Sequence, residues 1–252
     1  AKFRTGKGSQ VDVLKAQVEL STLYQRLPVL EQQRDTAQAK VNTLLDRDPR
    51  FPLGSPQVPR DQRFDKELEE LYQTAVTARP ELKAGELAVQ LNEGVRALAQ
   101  RQYYPDVSVA FQRFQNFHAN DGFGAMVSIN MPFAFWTKPK YDAAVQEASA
   151  AVAAARADLH TAENLTRFQI RDLLAKVRAS WEVAVLYRTT VLPQAEQGVE
   201  AARADYRTGR TSFLDLIDAD RAWREFQLAY WRVLVDRESR VAELEQVVGT
   251  EL

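Results

Sequence analysis

Carboxylates and cations gather at two places in the sequence, each beside a glycine. Asp215 and Asp218 are three residues apart, which on a helix puts both carboxylates on one face. They follow Arg207, Gly209 and Arg210. Asp12 follows Arg4, Gly6 and Lys7 in the same way, but Lys15 stands where the second carboxylate would be. Taken alone, this grouping fits one chemistry: acidic residues in a first helical turn offset the positive end of the helix dipole. The nearby cations fit two roles: salt bridges that brace neighbouring helices, or solvated charges at a turn.

Other reactive side chains are sparse. The chain has no Cys, which excludes disulfides, thiolate chemistry and cysteine metal sites. His118 and His160 are its two histidines, far apart and with no thiol near, so packing or surface roles suit them better than ligation. Met126 and Met131 are too few for a soft-metal relay and fit strand packing. No phosphate loop, nucleophile elbow, HExxH motif or paired Glu-x-x-His set is present, so neither an enzyme nor a cofactor is expected. With 33 Lys and Arg against 34 Asp and Glu, the chain lacks the bulk positive charge of a nucleic-acid binder.

The elements that position these residues come in a repeat. Residues 1–16, AKFRTGKGSQVDVLKA, align without a gap on residues 204–219, ADYRTGRTSFLDLIDA. Ala1, Arg4, Thr5, Gly6, Ser9, Asp12 and Ala16 recur as Ala204, Arg207, Thr208, Gly209, Ser212, Asp215 and Ala219. The offset of 203 is too long for a solenoid and reads as a duplicated half. Residues 1–48 are then the end of a first repeat, holding a tip turn and a returning helix. Residues 49–79 are a connector and a short helix, and 80–252 a whole second repeat. The chain opens without Met and in mid-repeat, so it is expected to be a fragment that lacks the start of its first half.

Within this frame the period changes tell helix from strand. Leu20, Leu23, Leu27 and Leu30 form a 3,4,3 seam over a helix near 10–47, in which Pro28 predicts a kink. Pro80 opens a helix over 80–102 at a first-turn position. Val107, Val109 and Phe111, then Phe123, Ala125, Val127, Ile129 and Met131, alternate with small or polar residues around Asn120-Asp121-Gly122. That is a β-hairpin over 105–133 with one apolar face, suited to packing on helices or to facing lipid. Val145, Ala148, Val152, Ala155, Leu159 and Ala162, continued by Ile170, Leu173, Val177, Trp181 and Ala184, keep a heptad seam along one helix over 137–207. A tip turn at 208–211, with Gly209 in the left-handed conformation, leads into a returning helix over 212–248. No apolar run approaches the roughly 20 residues of a membrane-spanning helix.

This order of parts resembles the TolC-like outer membrane efflux protein family. Arg79-Pro80-Glu81-Leu82, the passage AQRQYYPDV from Ala99 to Val107, SINMPF from Ser128 to Phe133, the turn Ala204 to Gly209 with Leu216 to Ala219, and the closing Leu244 to Gly249 carry the likeness. The stretch MPFAFWTKPKYDAAV is more similar to the family's heavy-metal branch than to its drug branch. The resemblance implies a mainly α fold of long antiparallel coiled-coil helices with one β-hairpin, a partial copy of the family's channel.

It also implies a function: an outer-membrane exit duct of a tripartite efflux pump, passive, exporting small molecules or metal ions. The alternative is a periplasmic coiled-coil scaffold without channel activity, for which the hairpin would have no use. Implied partners are a periplasmic adaptor, an inner-membrane pump, two further copies in a homotrimer, and outer-membrane lipid along the hairpin. The implied location is the outer membrane of a Gram-negative bacterium, with the helices in the periplasm. The implied docking residues at the tip are Phe3, Gly6, Lys7, Tyr206, Gly209, Arg210 and Ser212. The implied channel entrance is Asp12, Asp215 and Asp218, which in three copies would ring the periplasmic mouth with carboxylates and select cations, with Lys15 halving the charge of the first repeat.

Overall fold

A computed structural model describes residues 10–58, 63–115, 122–130 and 138–252. The elements run α1 (Gln10–Leu44), α2 (Leu68–Ala78), α3 (Pro80–Arg101), β1 (Asp106–Phe114), β2 (Gly122–Asn130), α4 (Lys138–Leu186), a π turn (Tyr187–Val191), α5 (Leu192–Thr208) and α6 (Phe213–Val248). The fold is mainly helical with one antiparallel hairpin. The first-repeat turn with Phe3, Gly6 and Lys7 lies outside the described residues, as do His118, Met131 and the Asn120-Asp121 step of the hairpin.

The chain divides into two compact units, and they cut across the repeat. One unit is Ala1–Arg63 with Ala179–Glu238; the other is Phe64–Arg178 with Ser239–Leu252.

The second unit holds a buried apolar cluster. Leu71 and Ala75 of α2, Ile170, Leu173 and Leu174 of α4, and Leu244 and Val248 of α6 close on one another, flanked by Phe64, Leu68 and Tyr72. The seam expected on α4 is the face that is covered: Ala148, Val152, Ile170, Leu173 and Val177 are buried. Two anchors fix the α2–α3 junction to this core. Arg79 donates from Nη1 to Thr166 Oγ1 at 2.9 Å and Gln169 Oε1 at 3.3 Å. Gly249, at φ 85°, ends α6 so near this junction that a Cβ would lie 3.0 Å from the Arg79 Cα. Pro80 follows as the first-turn residue of α3, where its missing N–H leaves no helical bond unmade.

The hairpin pairs Val107 with Ile129, Val109 with Val127 and Phe111 with Ala125. Side chains alternate across a strand, so these residues form one apolar face, and Ser108, Ser128, Gln112 and Gly124 fall on the other. The apolar face is bare: Phe111 and Phe123 are 83% and 81% exposed. Where the strand leads back to helix, Tyr103 donates its hydroxyl to Asp142 Oδ1 at 2.5 Å. Its ring leans on Tyr141 with centroids 5.7 Å apart.

In the first unit α1 runs through Pro28 with no break in its helical backbone, although Tyr24 loses its bond from residue 28. It ends at Leu44, short of the expected residue 47. Asp46 turns the chain at φ 55°. Asn42, fully buried, then pins the connector by donating from Nδ2 to the carbonyls of Pro49 and Phe51 at 3.1 and 2.7 Å.

The helix expected over 137–207 runs without a non-helical residue from Lys138 to Thr208, as α4, a π turn and α5. Pro193 has no N–H for the Thr189 carbonyl, and its ring crowds that group. The Leu192 N–H instead reaches back five residues to the Tyr187 carbonyl. The sequence supplies a second reason. Ala184, Val191, Ala195 and Val199 all turn at least partly inward. From Ala184 to Val199 is 15 residues, one more than two heptads. A wider turn absorbs that extra residue and keeps the same face inward.

Candidate functional site: the tip turn

The turn between α5 and α6 is built from the residues that recur in the repeat. Gly209 lies at φ 82° and ψ 14°, the left-handed region open to a residue without Cβ. Its N–H reaches the Tyr206 carbonyl at 3.2 Å, and the Arg210 N–H reaches the Asp205 carbonyl at 2.9 Å. This bond pair is a Schellman motif and satisfies the last carbonyls of α5. Tyr206 and Thr208 are therefore still helical, and the turn proper starts at Gly209. The Arg210 guanidinium folds back onto Asp205 at 2.6 Å. Tyr206 packs its ring on Phe213 across the turn, centroids 5.7 Å apart.

The other side of the turn is a reciprocal cap. Ser212 Oγ accepts the Asp215 N–H at 3.2 Å. Asp215 Oδ2 in return accepts the Ser212 N–H at 3.1 Å, the Ser212 hydroxyl at 2.7 Å and the Thr211 hydroxyl at 2.8 Å. This is a capping box with Asp at its third position. The Ser212 hydroxyl, then the Thr211 hydroxyl and the Ser212 N–H, hold the Asp215 carboxyl below its ordinary range. Asp215 therefore stays ionised at neutral pH, and its charge is aimed at its own helix start.

Asp218 is exposed and meets Arg221 at 3.5 Å one turn along. Asp12 sits half-buried in the first turn of α1, and Lys15 is exposed. An apolar groove of about 320 Å³ opens beside the turn, lined by Val11, Leu14 and Val18 of α1 and Phe213, Leu214 and Ile217 of α6.

Two turns into the helices lies a cluster that pattern reading missed. Glu19 of α1 is clasped by Arg221 and Arg224 of α6. The signal was available, because these charges stand where the other repeat has none.

Among the described residues no three His, Asp or Glu come together to hold a metal ion. His160 is exposed, with Asn164 Nδ2 at 3.1 Å from its Nδ1. No helix among the described residues is long and apolar enough to cross a membrane.

Long helices, a bare apolar hairpin and a capped Tyr-x-x-Gly turn together define a mainly α protomer of long rods with one strand hairpin. The chain belongs to the outer membrane efflux protein family, whose pattern matches residues 71–250. It is similar to the cobalt-zinc-cadmium resistance protein CzcC of Cupriavidus metallidurans, 24% identical over 254 residues. That match covers 98% of this chain and 58% of the relative. Among solved structures it resembles the outer-membrane channel OprN, with TM-score 0.83, 20% identity, and 98% and 57% of the two chains covered. It also resembles VceC of Vibrio cholerae, with TM-score 0.82, 17% identity, and 99% and 60% covered. CusC is similar at TM-score 0.80 and 16% identity, with 99% and 59% covered. The chain thus spans just under three fifths of the CzcC relative.

Proposed function

We propose that this chain is part of an outer-membrane exit duct of a tripartite efflux pump, a passive conduit across the periplasm. The observation that carries the reading is the hairpin. Its paired residues Val107–Ile129, Val109–Val127 and Phe111–Ala125 make a contiguous, exposed apolar face backed by a small and polar one. That is the inside-outside alternation of a membrane barrel strand, and nine residues is close to the length such a strand needs. Two strands leave edges unpaired, so other strands must close the barrel. A homotrimer of the whole protein supplies them, with lipid against Phe111 and Val109 and the helices in the periplasm. The likeness to CzcC supports metal ions as the exported class.

At the far end the tip serves as the adaptor-docking surface: Tyr206, Gly209, Arg210 and Ser212, with Phe3, Gly6 and Lys7 from the first repeat. Its support is the recurrence of the same residues at both turns and the apolar groove beside one of them. An inner-membrane pump completes the assembly. Asp12, Asp215 and Asp218 are the proposed entrance carboxylates. Asp218 is the most available of the two in α6, since Asp215 is committed to its cap.

The test is face-specific. In the full-length protein Val109→Arg places a charge on the lipid side and costs about 2–4 kcal/mol if the residue lies near the bilayer midplane. It should abolish heat-resistant trimers in the outer membrane. Ser108→Arg, on the opposite face, should leave them intact. Equal behaviour of the two variants would refute the barrel reading and leave a periplasmic scaffold.

A further inference from the structure

A sheltered charge cluster in the first unit lies away from the tip. The Glu19 side chain is 12% exposed, and both its carboxylate oxygens are filled from α6. Arg221 donates to Oε2 from Nε at 2.8 Å and from Nη2 at 2.5 Å, and Arg224 Nη2 donates to Oε1 at 3.0 Å. Asp218 and Asp220 steady the same arginines from within α6, at 3.5 and 2.9 Å. A carboxylate filled at both oxygens by two guanidinium groups joins the two helices where they meet.

The repeat gives this contact its meaning. At the offset of 203, Glu19 matches Ala222, while Arg221 and Arg224 match Val18 and Ser21. The cluster is therefore one-sided: α1 carries the acid and α6 the two bases. The apolar faces do not make that distinction, because Val11, Val13 and Leu14 of α1 correspond to Leu214, Leu216 and Ile217 of α6. Apolar packing alone would let either helix stand in for the other, in one copy or between copies. Charges would not, because α6 against α6 opposes Arg to Arg, and α1 against α1 opposes Glu to Glu.

We infer that Glu19 with Arg221 and Arg224 is a pairing code between the two repeats, seating α1 on α6 and disfavouring contacts between like helices of separate copies. The inference stands on the repeat and on these contacts, and holds whether or not the duct reading does. Its role is selection of a partner, so reversing one charge redirects pairing and exchanging the charges restores it.

Because the sequence has no Cys, spin labels go only where they are put. Labels at Ser21→Cys and Leu228→Cys, in chains diluted with unlabelled chain, read the α1–α6 distance within one copy by double electron–electron resonance. Singly labelled chains read contacts between copies. The parent chain should show one narrow distance within the copy. Glu19→Arg should lose that peak, and Glu19→Arg with Arg221→Glu should regain it; singly labelled Glu19→Arg chains should show new short distances. An unchanged peak in Glu19→Arg, or failure of the exchanged pair to regain it, overturns the inference. If Glu19→Arg alone does not fold, recovery of a folded chain by the exchanged pair supports the inference, and continued misfolding overturns it.

Discussion

Gly209 and Asp215 show how little of the tip is free to vary. No atom lies within 4 Å of where a Cβ at Gly209 would be, so steric room is not the constraint. The constraint is φ 82°, which costs a residue with a Cβ about 1–2 kcal/mol. Gly209→Val should therefore lower stability by about that amount while circular dichroism stays helical. If the tip is the docking end, adaptor crosslinking in the full-length protein should fall with normal trimer formation, and Arg210→Glu should do the same. Asp215 gives a pH prediction. Folding lowers its pKa, so its cap contributes fully above the ordinary carboxylate range and is lost as pH falls through the lowered value. Ser212→Ala removes the main cause, and the Asp215 titration midpoint read by NMR should move up toward the ordinary value. A midpoint unchanged by Ser212→Ala would mean the cap does not set it.

The same carboxylate shows the limit of reading a site from sequence. Asp215 was legible as a first-turn acid, and its entrance role came only with the family resemblance. The bonds from Thr211 and Ser212 show how it caps its helix and leave the entrance role a proposal.

At the scale of elements, the hairpin was legible because alternation from Val107 to Phe111 and from Phe123 to Ile129 has no helical counterpart. The α4 seam was legible because a heptad sustained from Val145 to Ala184 has few other uses. The π turn was not, since one extra residue shifts a heptad without erasing its apolar composition. If that turn exists to absorb the extra residue, deleting Thr190 makes the interval from Ala184 to Val199 two heptads. The deletion should close the turn into α-helix, with the thermal midpoint unchanged or raised. A fall of several degrees would show that the turn has a role other than register. The Glu19 clasp was also missed, because charges 202 residues apart carry no periodicity; comparison of the two repeats would have exposed it.

For the molecule as a whole, Leu71 and Ala75 share a core with Leu244 and Val248, and Gly249 rests on Arg79. These partners are separated by about 170 residues of chain, so the core closes through long loops, each costing entropy before any contact repays it. The consequence concerns biogenesis. Residues 64–178 leave the ribosome with two of the seven buried residues of their cluster, Leu244 and Val248, still to come. That stretch is therefore expected to close its core only when Ser239–Leu252 arrives. A chain ended at Glu238 should leave α2 amides unprotected in hydrogen exchange, although every residue of α2 is present. Adding residues 239–252 as a separate peptide should restore protection. Protection in the shortened chain by itself would show that the core forms without waiting.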